Sequence, residues 1–303
     1  MNELLKINVD HEISGLMIKE ILYDHFYFSR KSLTKVKNAK GIYLNGEAVY
    51  VTQRAYEGDI IKIYVPEETS EFIEPQPIPI DIVFEDQDIV VVNKPAGIVV
   101  HPTKSHPDYT LANGLLYYWQ SKGELFRFRP VHRLDKDTSG LLVIAKNQYA
   151  HHKLALQLTD RSLKRIYRAI VHGYVTEEKG IIDGPIIKDP DHATRRIVET
   201  SPDSAAKTAI TFYRTVERFS DASLVELQLE TGRTHQIRVH MSWIGHPLIG
   251  DELYGGKVGN GYLNRQALHA YQLSFFHPVT NEYLSFHAAL PADMQSFLYL
   301  HLS

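Results

Sequence analysis

The stretch Pro130-Val-His-Arg-Leu-Asp-Lys-Asp-Thr-Ser-Gly-Leu-Leu-Val-Ile-Ala-Lys146 gives the clearest structural signal in the chain. Residues 132–140 have the composition of a polar turn, and residues 141–145 form an uninterrupted apolar run that is typical of a buried strand. A carboxylate just before a buried strand lies at a rigid edge, where a catalytic group can be held in position. The stretch therefore makes Asp135 a candidate catalytic carboxylate.

Other interpretations of this turn stay open when its residues are considered alone. The segment also fits a plain turn closed by Asx and hydroxyl hydrogen bonds. Asp135 and Asp137 resemble part of a divalent-cation site, but no third acidic cluster accompanies them, so we predict no metal. Arg133 and Arg238 are candidate counter-ions that would keep Asp135 ionised.

The sequence around this stretch, from residue 80 onward, is dominated by short strands separated by Gly, Pro and Asp. The clearest strands are predicted over residues 82–84, 89–92, 141–145, 167–171, 208–214 and 224–229, and helices over residues 111–122, 148–159, 235–244 and near 293–300. Strands outnumber helices, and their order is not a regular β-α-β alternation. We therefore predict an α+β domain around a mixed, largely antiparallel sheet.

The N-terminal 65 residues have a pattern of their own. A helical repeat of apolar residues begins at Leu16, and a second helix is predicted over residues 31–39 after the cap residue Ser29. Strands are predicted over residues 41–46 and 59–65. The second helix and its flanks carry five basic residues and no acid: Arg30, Lys31, Lys35, Lys37 and Lys40. This basic face is typical either of a solvated surface or of an RNA-binding surface.

A linker separates this module from the rest of the chain. Residues 66–80 contain four prolines with acidic residues between them, a composition that favours a semi-extended chain. We therefore predict a small module over residues 1–65, a linker over 66–80 and a large domain over 81–303.

The distribution of charge matters more than its sum. The net charge is −3, but residues 67–88 hold eight acids and no Lys or Arg, and without those acids the charge is +5. Residues 127–168 hold ten Lys or Arg against three Asp. Because each phosphate contact is local, this clustering is compatible with RNA binding.

The chain has no cysteine and no apolar stretch typical of a signal peptide or membrane span, so we expect a cytoplasmic protein, with a monomer as the default.

Several ordered motifs follow one another along the chain. They are His132-Arg-Leu-Asp135 with Thr138-Ser-Gly140, Asn93-Lys-Pro-Ala-Gly97, Lys164-Arg-Ile-Tyr-Arg-Ala169, Thr231-Gly-Arg-Thr-His-Gln-Ile-Arg-Val-His240, Gly245-His-Pro-Leu-Ile-Gly-Asp-Glu-Leu-Tyr254 and Leu268-His-Ala270. These motifs resemble those of the RluA family of pseudouridine synthases. Together they span roughly residues 80 to 290. The N-terminal pattern, with its closing Gly58-Asp-Ile-Ile61, resembles an S4-type RNA-binding domain.

The resemblance implies a cofactor-free isomerisation of uridine to pseudouridine in RNA. Asp135 matches the family's essential aspartate, which either attacks the uridine or abstracts a ribose proton. Tyr167 matches the residue that stacks beneath the flipped uracil and helps remove the C5 proton, and Arg238 matches the basic partner of the aspartate. RNA- or substrate-binding roles are implied for His132, Arg133, Leu134, Thr138, Lys164, Arg165, Arg233, His235, Gln236, Leu268, Arg30, Lys31 and Lys35.

Each assignment has a competitor in the residues themselves. Tyr167 in an alternating strand fits core packing, and Arg238 fits a surface cation. The spacing of His235 and His240 is i, i+5, which does not place two zinc ligands on one helix face. The rival functions are a non-catalytic RNA-binding or ribosome-assembly factor and an Asp-dependent nucleoside hydrolase. Large-subunit ribosomal RNA is the favoured substrate, with transfer RNA as the alternative.

Overall fold

The chain builds a nine-stranded sheet and two smaller sheets in a computed structural model that describes residues 1–66, 69–70, 72–257 and 263–301. The strands are β1 (Asn2–Asn8), β2 (Ile42–Leu44), β3 (Glu47–Ala48), β4 (Ile60–Val65), β5 (Ile82–Glu85), β6 (Ile89–Lys94), β7 (Ser139–Ala145), β8 (Lys164–His172), β9 (Lys179–Asp183), β10 (Ile186–Lys188), β11 (Arg196–Val198), β12 (Ile210–Arg218), β13 (Ala222–Leu229), β14 (Leu268–Phe276) and β15 (Tyr283–His287). The helices are α1 (Ile18–Glu20), α2 (Arg30–Asn38), α3 (Leu111–Ser121), α4 (Gln148–Thr159), α5 (Gln236–Trp243) and α6 (Ala292–His301). A π-helical turn (Ile21–His25) follows α1, and a 3-10 helix (Glu252–Tyr254) precedes β14.

The large sheet has the order β5-β6-β7-β14-β8-β13-β12-β9, and β15 also pairs with β14. Every pairing in it is antiparallel except β7 with β14, which is parallel. The prediction of a mixed, largely antiparallel sheet in an α+β domain is confirmed. Both β7 and β8 lie near the middle of this sheet, so the segments that enter them start from a rigid frame.

The N-terminal residues form a separate four-stranded antiparallel sheet in the order β1-β4-β2-β3. Helix α2 begins after Ser29, whose hydroxyl accepts a hydrogen bond from the Ser32 backbone N–H at 3.1 Å, as the sequence predicted. Leu33 and Val36 of this helix pack into an apolar core with the strands. Tyr149 of α4 belongs to this core and Val279 of the loop after β14 packs against it, so the module contacts the large domain through both.

Close approach of β7 to β14 explains a glycine of the central motif. Gly140 has φ +110°, and a Cβ on it would collide with the backbone of Ala270 in β14. A larger residue would therefore push apart the two central strands just behind Asp135.

The sequence predicted most elements but missed some. The predicted helices and the predicted strands are present within a few residues of their expected ends. Strand β1 and the central strand β14 were not predicted, nor were β9, β10, β11 and β15. Three acids of the linker, Glu67, Glu68 and Glu71, lie outside the described residues. Within the described part of the chain, no helix is long and apolar enough to cross a bilayer.

Candidate active site

Asp135 lies in the turn that leads into β7. Its carbonyl oxygen accepts a hydrogen bond from the Thr138 N–H at 3.2 Å, and all seven residues of β7 behind it are buried. The Asp135 side chain itself is 28% exposed. A rigid strand thus holds a carboxylate that a substrate can still reach.

The turn is also held from behind by a buried lysine. The ammonium group of Lys94 donates hydrogen bonds to the carbonyl oxygens of Pro95, Ile98 and Lys136 at 2.8–2.9 Å. Burial lowers the pKa of Lys94 to about 7, against the opposing charges of Asp137 and Asp135. Lys94 thus connects the loop after β6 to Lys136, the residue after Asp135. In the sequence, Lys94 could have been identified only from its place in the Asn93–Gly97 motif.

Arg238 of α5 is the cation that contacts Asp135. Its Nη1 donates to Asp135 Oδ2 at 3.3 Å, while its Nε and Nη2 donate to the two carboxylate oxygens of Asp251 at 2.6 and 2.8 Å. Burial acts to lower the pKa of Arg238, but Asp251 and Asp135 outweigh it and raise that pKa. The guanidinium is therefore charged and fixed in orientation by a bidentate ion pair.

Arg133, the other candidate counter-ion, does not fill that role. Its side chain is exposed at the rim of the site, and it forms no ion pair with Asp135 among the contacts of the described residues. Asp251 was not singled out from the sequence. The sequence marked Asp251 only through its place in the Gly245–Tyr254 motif. The separation of 13 residues does not predict that Asp251 pairs with Arg238.

A histidine and a tyrosine complete the polar side of the site. His235 Nε2 lies 3.8 Å from Asp135 Oδ2, and His235 Nδ1 lies 2.8 Å from the Tyr254 hydroxyl. Burial lowers the pKa of His235 although the charge of Asp135 opposes the shift, so the imidazole is neutral at pH 7. His235 has φ +58°, a left-handed conformation at the residue before α5.

Tyr167 forms the apolar wall of the same cleft. It lies in the middle of β8, is 4% exposed and shares a cleft of about 1110 Å3 with Asp135 and Arg238. We refer to this space as the Asp135 cleft. Burial raises the pKa of the Tyr167 phenol, with Arg165 opposing, so the hydroxyl keeps its proton at neutral pH. The lining of the cleft therefore contains an aromatic side chain and a carboxylate, a combination that suits a planar ring.

Several residues expected to bind the substrate line this cleft. They are His132, Arg133, Leu134, Thr138, Arg165, Arg233, His235, Gln236 and Leu268. Burial lowers the pKa of His132 to about 3, so this ring is neutral. Arg233 is exposed at the rim, and its Nε donates to the Thr208 carbonyl oxygen at 2.9 Å.

Gln236 has its whole amide engaged within the protein. Its oxygen accepts from the Thr231 hydroxyl and the Arg233 N–H, and its nitrogen donates to the Ile210 carbonyl and the Thr211 hydroxyl, at 2.8–3.0 Å. Because the amide accepts two and donates two hydrogen bonds within the protein, Gln236 is suited to holding the loop before α5 in place.

The remaining predicted residues lie elsewhere. Lys164 is exposed at the start of β8 and is not part of the cleft lining. Arg30 and Lys31 are exposed on α2 in the N-terminal module, while Lys35 is half-buried beside the large domain.

The described residues give no support to a metal at Asp135. The acid and histidine side chains that cluster within metal-ligand distance of one another are Asp86, Asp88 and His277, in another part of the molecule. His277 Nδ1 accepts from the backbone N–H groups of Val279 and Thr280, which leaves its Nε2 protonated and facing Asp86 at 2.9 Å. That proton occupies the position a metal would need. His240 bonds the Thr211 hydroxyl and the Gly184 carbonyl, as a structural residue does.

Comparisons with known proteins show the family to which the chain is similar. A family model described as RNA pseudouridylate synthase matches residues 88–243. The chain is 46% identical over 260 residues to the uncharacterized RNA pseudouridine synthase YlyB of Bacillus subtilis, covering 85% of this chain and 84% of that protein. It is 43% identical over 283 residues to the ribosomal large subunit pseudouridine synthase D of Zymomonas mobilis, covering 88% of each. Human RNA pseudouridylate synthase domain containing 1 has a similar solved structure, with a TM-score of 0.59 and 28% identity over 74% of this chain and 90% of that one.

Proposed function

Because the chain belongs to the RNA pseudouridylate synthase family and is therefore an RNA-modifying isomerase, we propose that it converts uridines of large-subunit ribosomal RNA, with Asp135 as the catalytic carboxylate. The choice of ribosomal RNA follows relatives of 42–43% identity whose names specify the large ribosomal subunit. The observation that carries the catalytic assignment is the Asp251–Arg238–Asp135 ion-pair chain at the edge of a cleft walled by Tyr167.

The reaction itself requires little besides a placed carboxylate. It breaks the N1–C1′ bond of uridine and makes a C5–C1′ bond within the same nucleotide, so no redox step or group donor is involved. An ionised Asp135 either attacks the nucleotide or removes a ribose proton while the glycosidic bond breaks. Arg238 holds the carboxylate in place through a 3.3 Å hydrogen bond.

The target base has to enter the Asp135 cleft from a folded RNA. Unstacking a base costs a few kcal/mol, and stacking on an aromatic ring returns part of this. We assign the stacking surface to Tyr167, with its hydroxyl helping to remove the C5 proton after the base has rotated and rejoined the ribose. Arg133 and Arg233 at the rim are placed to contact phosphates rather than bases.

The N-terminal module fits a second RNA contact. Its α2 displays Arg30 and Lys31 to solvent and carries no acid. We propose that residues 1–65 are an S4-like RNA-binding domain joined by the 66–80 linker to the catalytic domain. We further propose a cofactor-free monomer that acts in the cytoplasm, where its ribosomal substrate is assembled.

Release of tritium from RNA labelled at C5 of uridine tests the catalytic assignment. Asp135→Asn keeps the shape of the side chain but removes its charge, so we expect turnover to fall by at least about 10⁴-fold while RNA binding persists. Asp137→Asn is the matched control, since Asp137 lies two residues away and is not part of the cleft lining. Equal tritium release by Asp135→Asn and the unaltered protein would overturn the role of Asp135.

Mapping of pseudouridine in cells with and without this gene tests the substrate. We expect sites to disappear from large-subunit ribosomal RNA. Loss of pseudouridines only from transfer RNA would show that transfer RNA, and not ribosomal RNA, is the substrate. An unchanged pseudouridine map, together with measurable RNA binding, would favour a non-catalytic RNA-binding factor.

A further inference from the structure

The hydrogen bonds around Tyr254 fix the proton position on His235. The Tyr254 oxygen accepts a hydrogen bond from the Arg196 backbone N–H at 2.9 Å and lies 2.8 Å from His235 Nδ1. A phenol has one proton, and burial raises the pKa of Tyr254, so the hydroxyl is intact at neutral pH. If Nδ1 were the donor, the phenol proton would have no acceptor among the described contacts of Tyr254. The phenol therefore donates to Nδ1.

The other nitrogen of His235 must then carry the proton. A neutral imidazole has one N–H, and with Nδ1 acting as acceptor that N–H is on Nε2. Nε2 faces Asp135 Oδ2 at 3.8 Å. The opposite tautomer would point a lone pair at a carboxylate, so electrostatics at Asp135 favours the same assignment as the hydrogen bonds at Tyr254.

Both polar neighbours of Asp135 approach the same carboxylate oxygen. Arg238 Nη1 and His235 Nε2 lie 3.3 and 3.8 Å from Oδ2. No hydrogen bond to Oδ1 occurs among the described residues. The distance from Nε2 exceeds a hydrogen bond, and shortening it by under about 1 Å would form one, as catalytic hydrogen bonds often tighten when substrate is bound.

We propose that Tyr254 is a positioning residue of the reaction. It holds His235 in the Nε2–H tautomer, so that a neutral imidazole N–H and the Arg238 guanidinium both stabilise Oδ2 of Asp135 and leave Oδ1 to meet the nucleotide. This role rests on the proposed function of Asp135.

Two variants separate the parts of this arrangement. Tyr254→Phe keeps the ring and removes the proton that fixes the tautomer. His235→Asn tolerates the left-handed backbone and keeps a polar atom near the Nδ1 position, but its shorter side chain removes the donor that faces Asp135. Tyr118→Phe is the matched control, because it also removes one phenol hydrogen bond, here to Glu85 at 2.9 Å, and Tyr118 lies outside the cleft lining.

Two readouts test the proposal on the full-length protein. Nitrogen-15 NMR of labelled histidine should show His235 protonated at Nε2 in the unaltered protein and a mixture of tautomers in Tyr254→Phe. Single-turnover tritium release should slow by roughly tenfold in Tyr254→Phe, the range found for partners that orient a functional imidazole, with RNA affinity unchanged. His235→Asn should slow at least as much, and the double variant should be no slower than His235→Asn alone, because both residues act through one N–H group.

The outcomes are distinct from those that test the proposed function. Unchanged turnover in Tyr254→Phe, or an Nδ1–H tautomer in the unaltered protein, overturns the role of Tyr254 while Asp135 stays catalytic. Absence of tritium release from the unaltered protein overturns the proposed function itself. A loss in Tyr118→Phe equal to that in Tyr254→Phe would assign both losses to general destabilisation and overturn the positioning role.

Discussion

The Asp135 cleft and the basic face of α2 use charge in opposite ways. In the cleft, Arg238 is 9% exposed and engaged by two carboxylates, so its position is set before any substrate arrives. On α2, Arg30 and Lys31 have exposed side chains. Buried, paired charges act through geometry, whereas exposed charges act through their sum and are screened by salt. Substitutions in the cleft should therefore change the rate of reaction, and substitutions on α2 should change affinity.

After Asp135→Asn, the largest loss of turnover in the cleft is expected from Tyr167→Phe. The ring and its stacking surface remain, so RNA affinity should be nearly unchanged, but turnover should fall by about 10²- to 10⁴-fold if the hydroxyl takes part in proton transfer at C5. Because burial keeps this phenol protonated, the hydroxyl can take the C5 proton only as it gives up its own. Binding to labelled RNA and single-turnover tritium release measure the two quantities. Normal turnover would leave Tyr167 as a stacking surface alone.

Asp251→Asn tests whether the position of Arg238 matters as much as its charge. The change removes the anion that receives two of the guanidinium hydrogen bonds but leaves Asp135 and Arg238 in place. We expect turnover to fall by about 10- to 100-fold, and stability to fall by about 3 kcal/mol because a buried ion pair loses one partner. Tritium release and urea unfolding give the two values.

A matched variant separates these two effects of Asp251→Asn. Asp293→Asn removes another paired carboxylate, which receives two hydrogen bonds from Arg265 at 2.7 and 2.9 Å and lies at the start of α6 outside the cleft lining. It should lower stability without a comparable change in turnover. If Asp251→Asn lowers stability alone, Arg238 needs no orienting partner.

The difference between the two regions also explains what the sequence could reveal. Elements with a strong local pattern were predictable, such as α2 with its Ser29 cap and β7 with its continuous apolar run. Strand β14 was missed, because it lies in the middle of the sheet and contains a bulge between Ala270 and Gln272, so its burial does not alternate. Strand β1 was missed because only Leu5-Lys-Ile-Asn8 alternates between apolar and polar residues, and the adjacent pair Leu4-Leu5, beside an irregularity in the strand, breaks the pattern.

The candidate site was predictable only where local sequence carried it. Asp135, Tyr167 and Arg238 came from motifs, and the fold brings all three to one cleft. Asp251, which orients Arg238, and Tyr254, which contacts His235, meet their partners through tertiary contacts that no residue spacing reveals. Local sequence motifs thus predict which residues belong to the site, whereas tertiary packing determines which of their atoms face one another.

Substitution of Arg30 and Lys31 by Ala gives the smallest effect per residue and tests the other half of the comparison. Each residue that neutralises a phosphate contributes about 0.7 to 0.9 to the slope of log affinity against log salt. The double variant should therefore lower that slope by up to about 2 and weaken RNA binding at low salt, while single-turnover rates at saturating RNA stay unchanged. Lys6→Ala is the control, since Lys6 is an exposed cation of the same module on a different element. It lies on β1, and its neighbours Leu5 and Ile7 face the core shared with α2. A fall in the single-turnover rate at saturating RNA would show that α2 acts in catalysis as well as in binding, and an unchanged salt slope would remove α2 from the RNA contact.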